Sequence, residues 1–127
     1  MEKRKKPIQW ERSEQEALVE WFRLAYRNEL LAAIPNHLVR GCVQARVQSL
    51  SGLVSGMPDL VLLSPRGIYG ALFIELKRPN VKGQPKGMLS KNQDIIIGHL
   101  RSRGYKCVVC FGWDSAKKEI EEYLNHG

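Results

Sequence analysis

Apolar residues recur along this chain with two different periods, and the alternation between them lays out its elements. From about Ser13 to Asn28 the positions Ala17, Leu18, Trp21, Phe22, Leu24 and Ala25 fall at helical spacing. Ser13 and Glu16 have the capping-box separation that predicts the helix start. Leu31 to Ile34 is short, apolar and stopped by Pro35-Asn36, a pattern compatible with a strand or with the end of a longer helix. Residues 38–50 are mixed and predict a helix that stops at Gly52. Two buried strands follow, Leu60-Val61-Leu62-Leu63 and Ala71-Leu72-Phe73-Ile74. They are joined by Ser64-Pro65-Arg66-Gly67, whose proline and glycine favour a turn and hence an antiparallel hairpin. Residues 78–89 carry two prolines and two glycines and read as a loop. Ser90 and Gln93 repeat the capping-box spacing ahead of a helix with Ile95, Ile96 and Leu100 that ends near Gly104. Residues 105–111 form a further core strand, and Asp114 is the expected N-cap of a last helix carrying Ala116, Ile120, Tyr123 and Leu124. The order α, β, β, β, α, β, α predicts an α/β protein with a mixed sheet flanked by helices.

Length and charge narrow the function classes. A chain of 127 residues makes one domain. Residues 1–9, with Lys3, Arg4, Lys5 and Lys6, read as a basic arm that is either a solvated tail or a DNA contact. Residues 10–127 form the domain proper. Twenty Lys and Arg against thirteen Asp and Glu give a formal charge of +7 and a pI near 9.5, which favours a polyanionic partner such as nucleic acid. The rival reading, an anionic membrane surface, lacks an amphipathic basic helix with an aromatic apolar face. No segment has the length of a membrane span and no apolar signal core follows the basic N-terminus, so the expectation is a soluble cytoplasmic protein, in the host's cytoplasm if the chain is viral. Three cysteines do not make a disulfide framework. Cys107 and Cys110 have a C-x-x-C spacing, but on a strand residues three apart face opposite ways, which excludes chelation. His37, His99 and His126 are scattered.

Three charges stand where the pattern predicts a core. Asp59 opens one hairpin strand, and Glu75 and Lys77 close the other, sixteen residues on. A charge in such a place needs a partner. Alternation puts Glu75 and Lys77 on one face with Leu76 on the other. Two carboxylates and an ammonium at the mouth of a sheet suit a hard divalent cation and an activated water. Each has an ordinary explanation singly, since Pro-Asp is common in turns and Glu-x-Lys suits a solvated edge strand. Together they follow or precede runs of four apolar or small residues, so neither strand reads as an edge. On a helical wheel at about 100° per residue with Trp21 at zero, Glu14 falls at about 20°, inside the apolar stripe, whereas Glu16 and Glu20 do not. Glu14 therefore points toward the sheet, unless it serves the helix dipole, and Glu11 is the other candidate for the same role. Between Glu75 and Asp94 the chain has Lys77, Arg78, Lys82, Lys86 and Lys91 and no acid, so Arg78, Lys82, Lys86 and Lys91 could grip phosphates or form a solvated loop.

The turn Gly56-Met57-Pro58-Asp59, the spacer, and Glu75-Leu76-Lys77 resemble the core of the PD-(D/E)-x-K nucleases. With Ala33-Ile34-Pro35-Asn36, Leu89-Ser90 and Gln93, and Gly104-Tyr105, the chain from Glu11 to Leu124 resembles the VRR-NUC branch in its short, stand-alone, virus-type form. One departure is His37-Leu38 where the family often has small residues. The resemblance implies a restriction-endonuclease-like fold and makes Asp59 and Glu75 metal ligands, Lys77 the catalytic lysine, Glu14 the helix-borne acid and Gln93 an accessory residue. Gln93 also has a plain account as the capping partner of Ser90. In such a site Mg²⁺, with Mn²⁺ as a substitute, would be held by Asp59, Glu75 and the carbonyl of Leu76, with Glu14 holding a water or a second ion. The activity implied is a structure-selective DNA endonuclease, a homodimer that resolves four-way (Holliday) junctions. A monomeric flap or nicking nuclease and a non-catalytic DNA-binding module are the alternatives. No base-reading motif is present, so the expected substrate is recognised by branching rather than by sequence.

Overall fold

A computed structural model describes residues 7–35, 49–79 and 88–126, the first five of these by their backbone alone. Residues 1–6 of the basic arm, residues 38–48 of the helix expected over 38–50, His37, Lys82 and Lys86 therefore lie outside the described residues, as does the side chain of Glu11, while residues 7–9, expected in the arm, belong to the first helix.

Helix α1 spans Pro7–Ala25, starting six residues before the expected Ser13 and ending three before Asn28. Proline suits a first helical turn because its missing N–H has no intrahelical acceptor there. Ser13 and Glu16 consequently lie inside the helix, and Glu16 instead meets Arg12 one turn earlier at 3.5 Å on the exposed face. The stripe is also rotated from its expected centre: Leu18 and Phe22 are buried, Trp21 is half-buried and Leu24 is 69% exposed.

Among the described residues four strands follow, in spatial order β1-β2-β3-β4. Strand β1 (Leu31–Ala33) resolves the strand-or-helix ambiguity and pairs antiparallel with β2 (Leu60–Leu62). Bonds from Ile34 N–H to the Asp59 carbonyl (2.8 Å) and from Leu63 N–H to the Leu30 carbonyl (2.9 Å) extend that ladder past both ends. Strand β3 (Leu72–Lys77) is antiparallel to β2, forming the expected hairpin. Its reversal lies at Gly67-Ile68, between Arg66 and Tyr69, which exchange main-chain hydrogen bonds. Gly67 there has φ +56°, a left-handed value that glycine takes at no steric cost. Helix α2 (Lys91–Ser102) then carries the chain to β4 (Lys106–Phe111), which is parallel to β3, and helix α3 (Trp113–Asn125) closes the fold. Helix α3 is capped by Gly112 rather than by Asp114, which sits in its first turn.

Alternation along β3 divides the molecule into layers. Leu72, Ile74 and Leu76 join Leu18 and Phe22 of α1 and Ala116, Ile120 and Tyr123 of α3 in the main core. Phe73 faces the other way, toward Ile97 and Leu100 of α2. Glu75 and Lys77 share Phe73's parity, so they emerge on the α2 face. The same alternation in β4 sends Cys110 into the main core and Cys107 into the α2 cluster. Both cysteines are free thiols, and burial pushes them up to about 11 (Cys107) and about 12 (Cys110), so the C-x-x-C is packing material rather than a chelate. Among the described residues no helix is long and apolar enough to cross a membrane.

Candidate active site

Strand β3 is covered on both sides, and its charged end is covered with it: Glu75 is 2% exposed and Lys77 9%. Continuing the β2–β3 register by one residue from the Leu60–Ile74 pair sets Asp59 opposite Glu75. The Asp59 side chain turns toward β3, where its Oδ2 accepts a 2.8 Å hydrogen bond from the Leu76 N–H. A backbone amide thus fixes one carboxylate oxygen beside the second acid.

The α2 face supplies the remaining partner. Ser90 and Gln93 form the expected capping box: the Ser90 hydroxyl accepts from Gln93 N–H (3.1 Å), and Gln93 Oε1 accepts from Ser90 N–H (2.9 Å). That same Oε1 accepts from Lys77 Nζ at 3.0 Å, while Gln93 Nε2 donates to Glu75 Oε1 at 3.1 Å. The capping box expected of Gln93 is thus present, and the side chain for which the resemblance implies an accessory role also contacts both Glu75 and Lys77. Lys77 Nζ lies 3.6 Å from the same Glu75 oxygen.

The other oxygen, Glu75 Oε2, is buried and has no hydrogen-bond partner. A buried oxygen left unsatisfied is costly, and either a proton shared with Asp59 or a bound cation would relieve it. Burial first, and then the charge of Asp59, raise the Glu75 carboxyl to about 8 from its ordinary 4.5, with Lys77 pulling it only partly back. With both carboxyls ionised, the cluster would be short of positive charge at the point where they meet. Two carboxylates are a donor set of the kind that suits Mg²⁺ or Mn²⁺ better than a soft metal.

Glu14 is placed differently. Its Oε2 accepts a 2.7 Å hydrogen bond from the Trp113 N–H, the first amide of α3, where the N-cap Gly112 has no side chain to offer. Gly112 N–H in turn donates to the Lys77 carbonyl at 3.0 Å, so Glu14 reaches the end of β3 through main chain. Among the described residues no three acidic, histidine or cysteine side chains converge as a metal cluster. Arg78 is half-buried directly after β3, and Lys91 is exposed at the first position of α2. The Trp113 amide was invisible to sequence reading, because a backbone donor leaves no trace in residue type. Asn92, whose side chain bonds Ser55 at 3.1 Å, was also missed; its one signal was adjacency to Gln93.

A four-stranded mixed sheet with α1 and α3 on one face, α2 on the other, and this acid–lysine end on β3 defines a restriction-endonuclease-like α/β protein. The VRR-NUC domain model matches residues 2–114, and the chain belongs to that nuclease family. It is similar to a solved "VRR_NUC domain protein" at 25% identity and TM-score 0.74, covering 92% of this chain and 89% of that one. A second solved structure, titled "VRR_NUC domain", shares the fold at 24% identity and TM-score 0.55, covering 89% and 96%. No curated protein matches.

Proposed function

We propose that this chain is a metal-dependent, structure-selective DNA endonuclease that hydrolyses phosphodiester bonds at branched DNA, acting on four-way junctions as a homodimer. The observation that carries the reading is the buried Glu75 carboxyl, whose Oε2 has no hydrogen-bond partner and whose Oε1 lies 3.6 Å from Lys77 Nζ, set beside Asp59. Asp59 and Glu75, with the Leu76 carbonyl, are the groups that would hold the cation. When bound, a divalent cation offsets charge on the phosphate and makes water a competent nucleophile near neutral pH. Lys77 supplies a compact positive charge beside the attacked phosphate and orients the water. Gln93 fixes Glu75 and Lys77 relative to one another, so both are preorganised before substrate arrives. Arg78 and Lys91, flanking the site in sequence, and the chain's excess of basic residues supply phosphate contacts. One such site cannot cut two strands at once, whereas a twofold pair presents two sites to opposed strands.

A panel of four-way junction, flap, nicked and plain duplex DNA, each with Mg²⁺ and with Mn²⁺, tests the proposal. Paired symmetric cuts in the four-way junction are expected, with a dimer in sedimentation. Preferential cutting of flaps or nicks by a monomer would replace the junction reading, and binding without any cleavage would remove the enzyme reading altogether.

A further inference from the structure

The turn that carries Asp59 touches α2 at a point the catalytic proposal does not use. Gly56 has φ +91°, and a Cβ placed on it would lie 2.6 Å from the carbonyl carbon and oxygen of Asn92 and 2.8 Å from the Gln93 nitrogen. The backbones of turn and helix are therefore in direct contact, at a separation only glycine permits. Beside this contact Asn92 Nδ2 donates to Ser55 Oγ at 3.1 Å. Two residues on, Pro58 is fully buried, and Asp59 then anchors the far end of the turn to β3 through the Leu76 amide. One short segment thus spans from the first turn of α2 to the end of β3.

We infer that Gly56, with the Ser55–Asn92 hydrogen bond, is a positioning device that sets the depth at which α2 seats Gln93 against Glu75 and Lys77. A methyl at position 56 strains the turn at φ +91° and must also part turn and helix by about 1 Å to reach an ordinary carbon contact of roughly 3.5 Å. Taken up by α2, a shift of that size carries Gln93, whose bonds to Glu75 and Lys77 are 3.1 and 3.0 Å, beyond hydrogen-bonding range. Misplacement on this scale slows a preorganised site by about 10²-fold. The kinetic part of the inference rests on the proposed nuclease activity; the structural part does not.

The experiment has two arms. In metal-free protein without DNA, the side-chain NH₂ resonances of Gln93 report its bond to Glu75. They are expected to move to free-glutamine positions in Gly56→Ala while the remaining amide spectrum stays folded; unchanged Gln93 resonances would overturn the inference. In the second arm, single-turnover cleavage of a four-way junction is measured for Gly56→Ala, Gln93→Ala and the double variant. Gly56→Ala is expected to slow cleavage by about 10²-fold with junction affinity unchanged, and to add less than about twofold once Gln93 is already alanine, because contacts that act through one another are not additive. A full additional loss in the Gln93→Ala background would overturn it, and so would a wild-type rate in Gly56→Ala, the result of a purely stabilising role. Should Gly56→Ala not fold, Asn92→Ala takes its place in both arms, with a smaller displacement of Gln93 expected and none contradicting the inference. If the wild type cleaves no DNA, the nuclease reading fails while the resonance arm still decides the positioning role.

Discussion

Glu75 holds the energetic tension of the site. Its folded carboxyl titrates near 8, while an unfolded chain ionises it near 4.5. Between those values the folded protein retains a proton that the unfolded chain releases, so metal-free stability falls as pH rises through the window and levels off above it. Thermal unfolding of metal-free protein from pH 5 to 9 should show that fall, and Glu75→Gln should abolish it. Added Mg²⁺ should raise the melting temperature more at pH 8 than at pH 5, since the cation takes the place of the proton. Glu14 makes a second prediction at this scale. Glutamine at position 14 keeps an acceptor for the Trp113 amide, whereas alanine leaves the first turn of α3 uncapped. Chemical denaturation should find Glu14→Gln near wild type and Glu14→Ala destabilised by about 1 kcal/mol, the ordinary value of a helix cap. Equal losses in both variants would show that the carboxylate charge, rather than the cap, is what the protein needs.

Among the elements, those governed by strict alternation were legible in the sequence. The parity that places Glu75 and Lys77 together, and parts Cys107 from Cys110, follows from strand geometry alone. The Ser90–Gln93 box was equally legible, being local and set by residue type. Helix α1 was less so: a capping box at Ser13 is only a local preference, and the chain extends the helix back to Pro7, moving Ser13 into its interior. Asp114 was misread as a cap because the real N-terminal acceptor of α3 comes from Glu14, ninety-nine positions away. Whether a third acid joins Asp59 and Glu75 could not be read from a wheel, which gives direction but not reach. Replacing Ser90 by alanine should cost about 0.5–2 kcal/mol in denaturant unfolding and also slow cleavage, because Gln93 belongs to both the cap and the site. Tyr123→Phe is its contrast. The Tyr123 hydroxyl donates at 2.6 Å to the buried Ser64 carbonyl, tying α3 to the hairpin away from the acids. Its loss should destabilise by about 1–3 kcal/mol and leave cleavage at permissive temperature unchanged.

At the scale of the whole molecule, the proposed function separates binding from chemistry. Its +7 charge is the balance of twenty basic against thirteen acidic residues along the chain, whereas the proposed hydrolytic groups, buried Glu75 and Lys77 with half-buried Asp59 and Gln93, gather at one end of β3. Junction affinity should therefore fall linearly on a log–log plot against salt, with a slope of about −0.9 for each phosphate neutralised on duplex arms, and alanine at Arg78 or Lys91 should reduce that slope. Asparagine at Asp59 should leave the slope contributed by these residues in place. The most direct test combines the two: single-turnover cleavage of a four-way junction with Mg²⁺ by wild type, Asp59→Asn and Lys77→Ala, alongside metal-free binding of the same junction. Near-wild-type binding with cleavage slowed by about 10²–10⁴-fold or more is the predicted result. Cleavage by either variant at the wild-type rate would contradict the assignment of the β3 cluster as the hydrolytic centre.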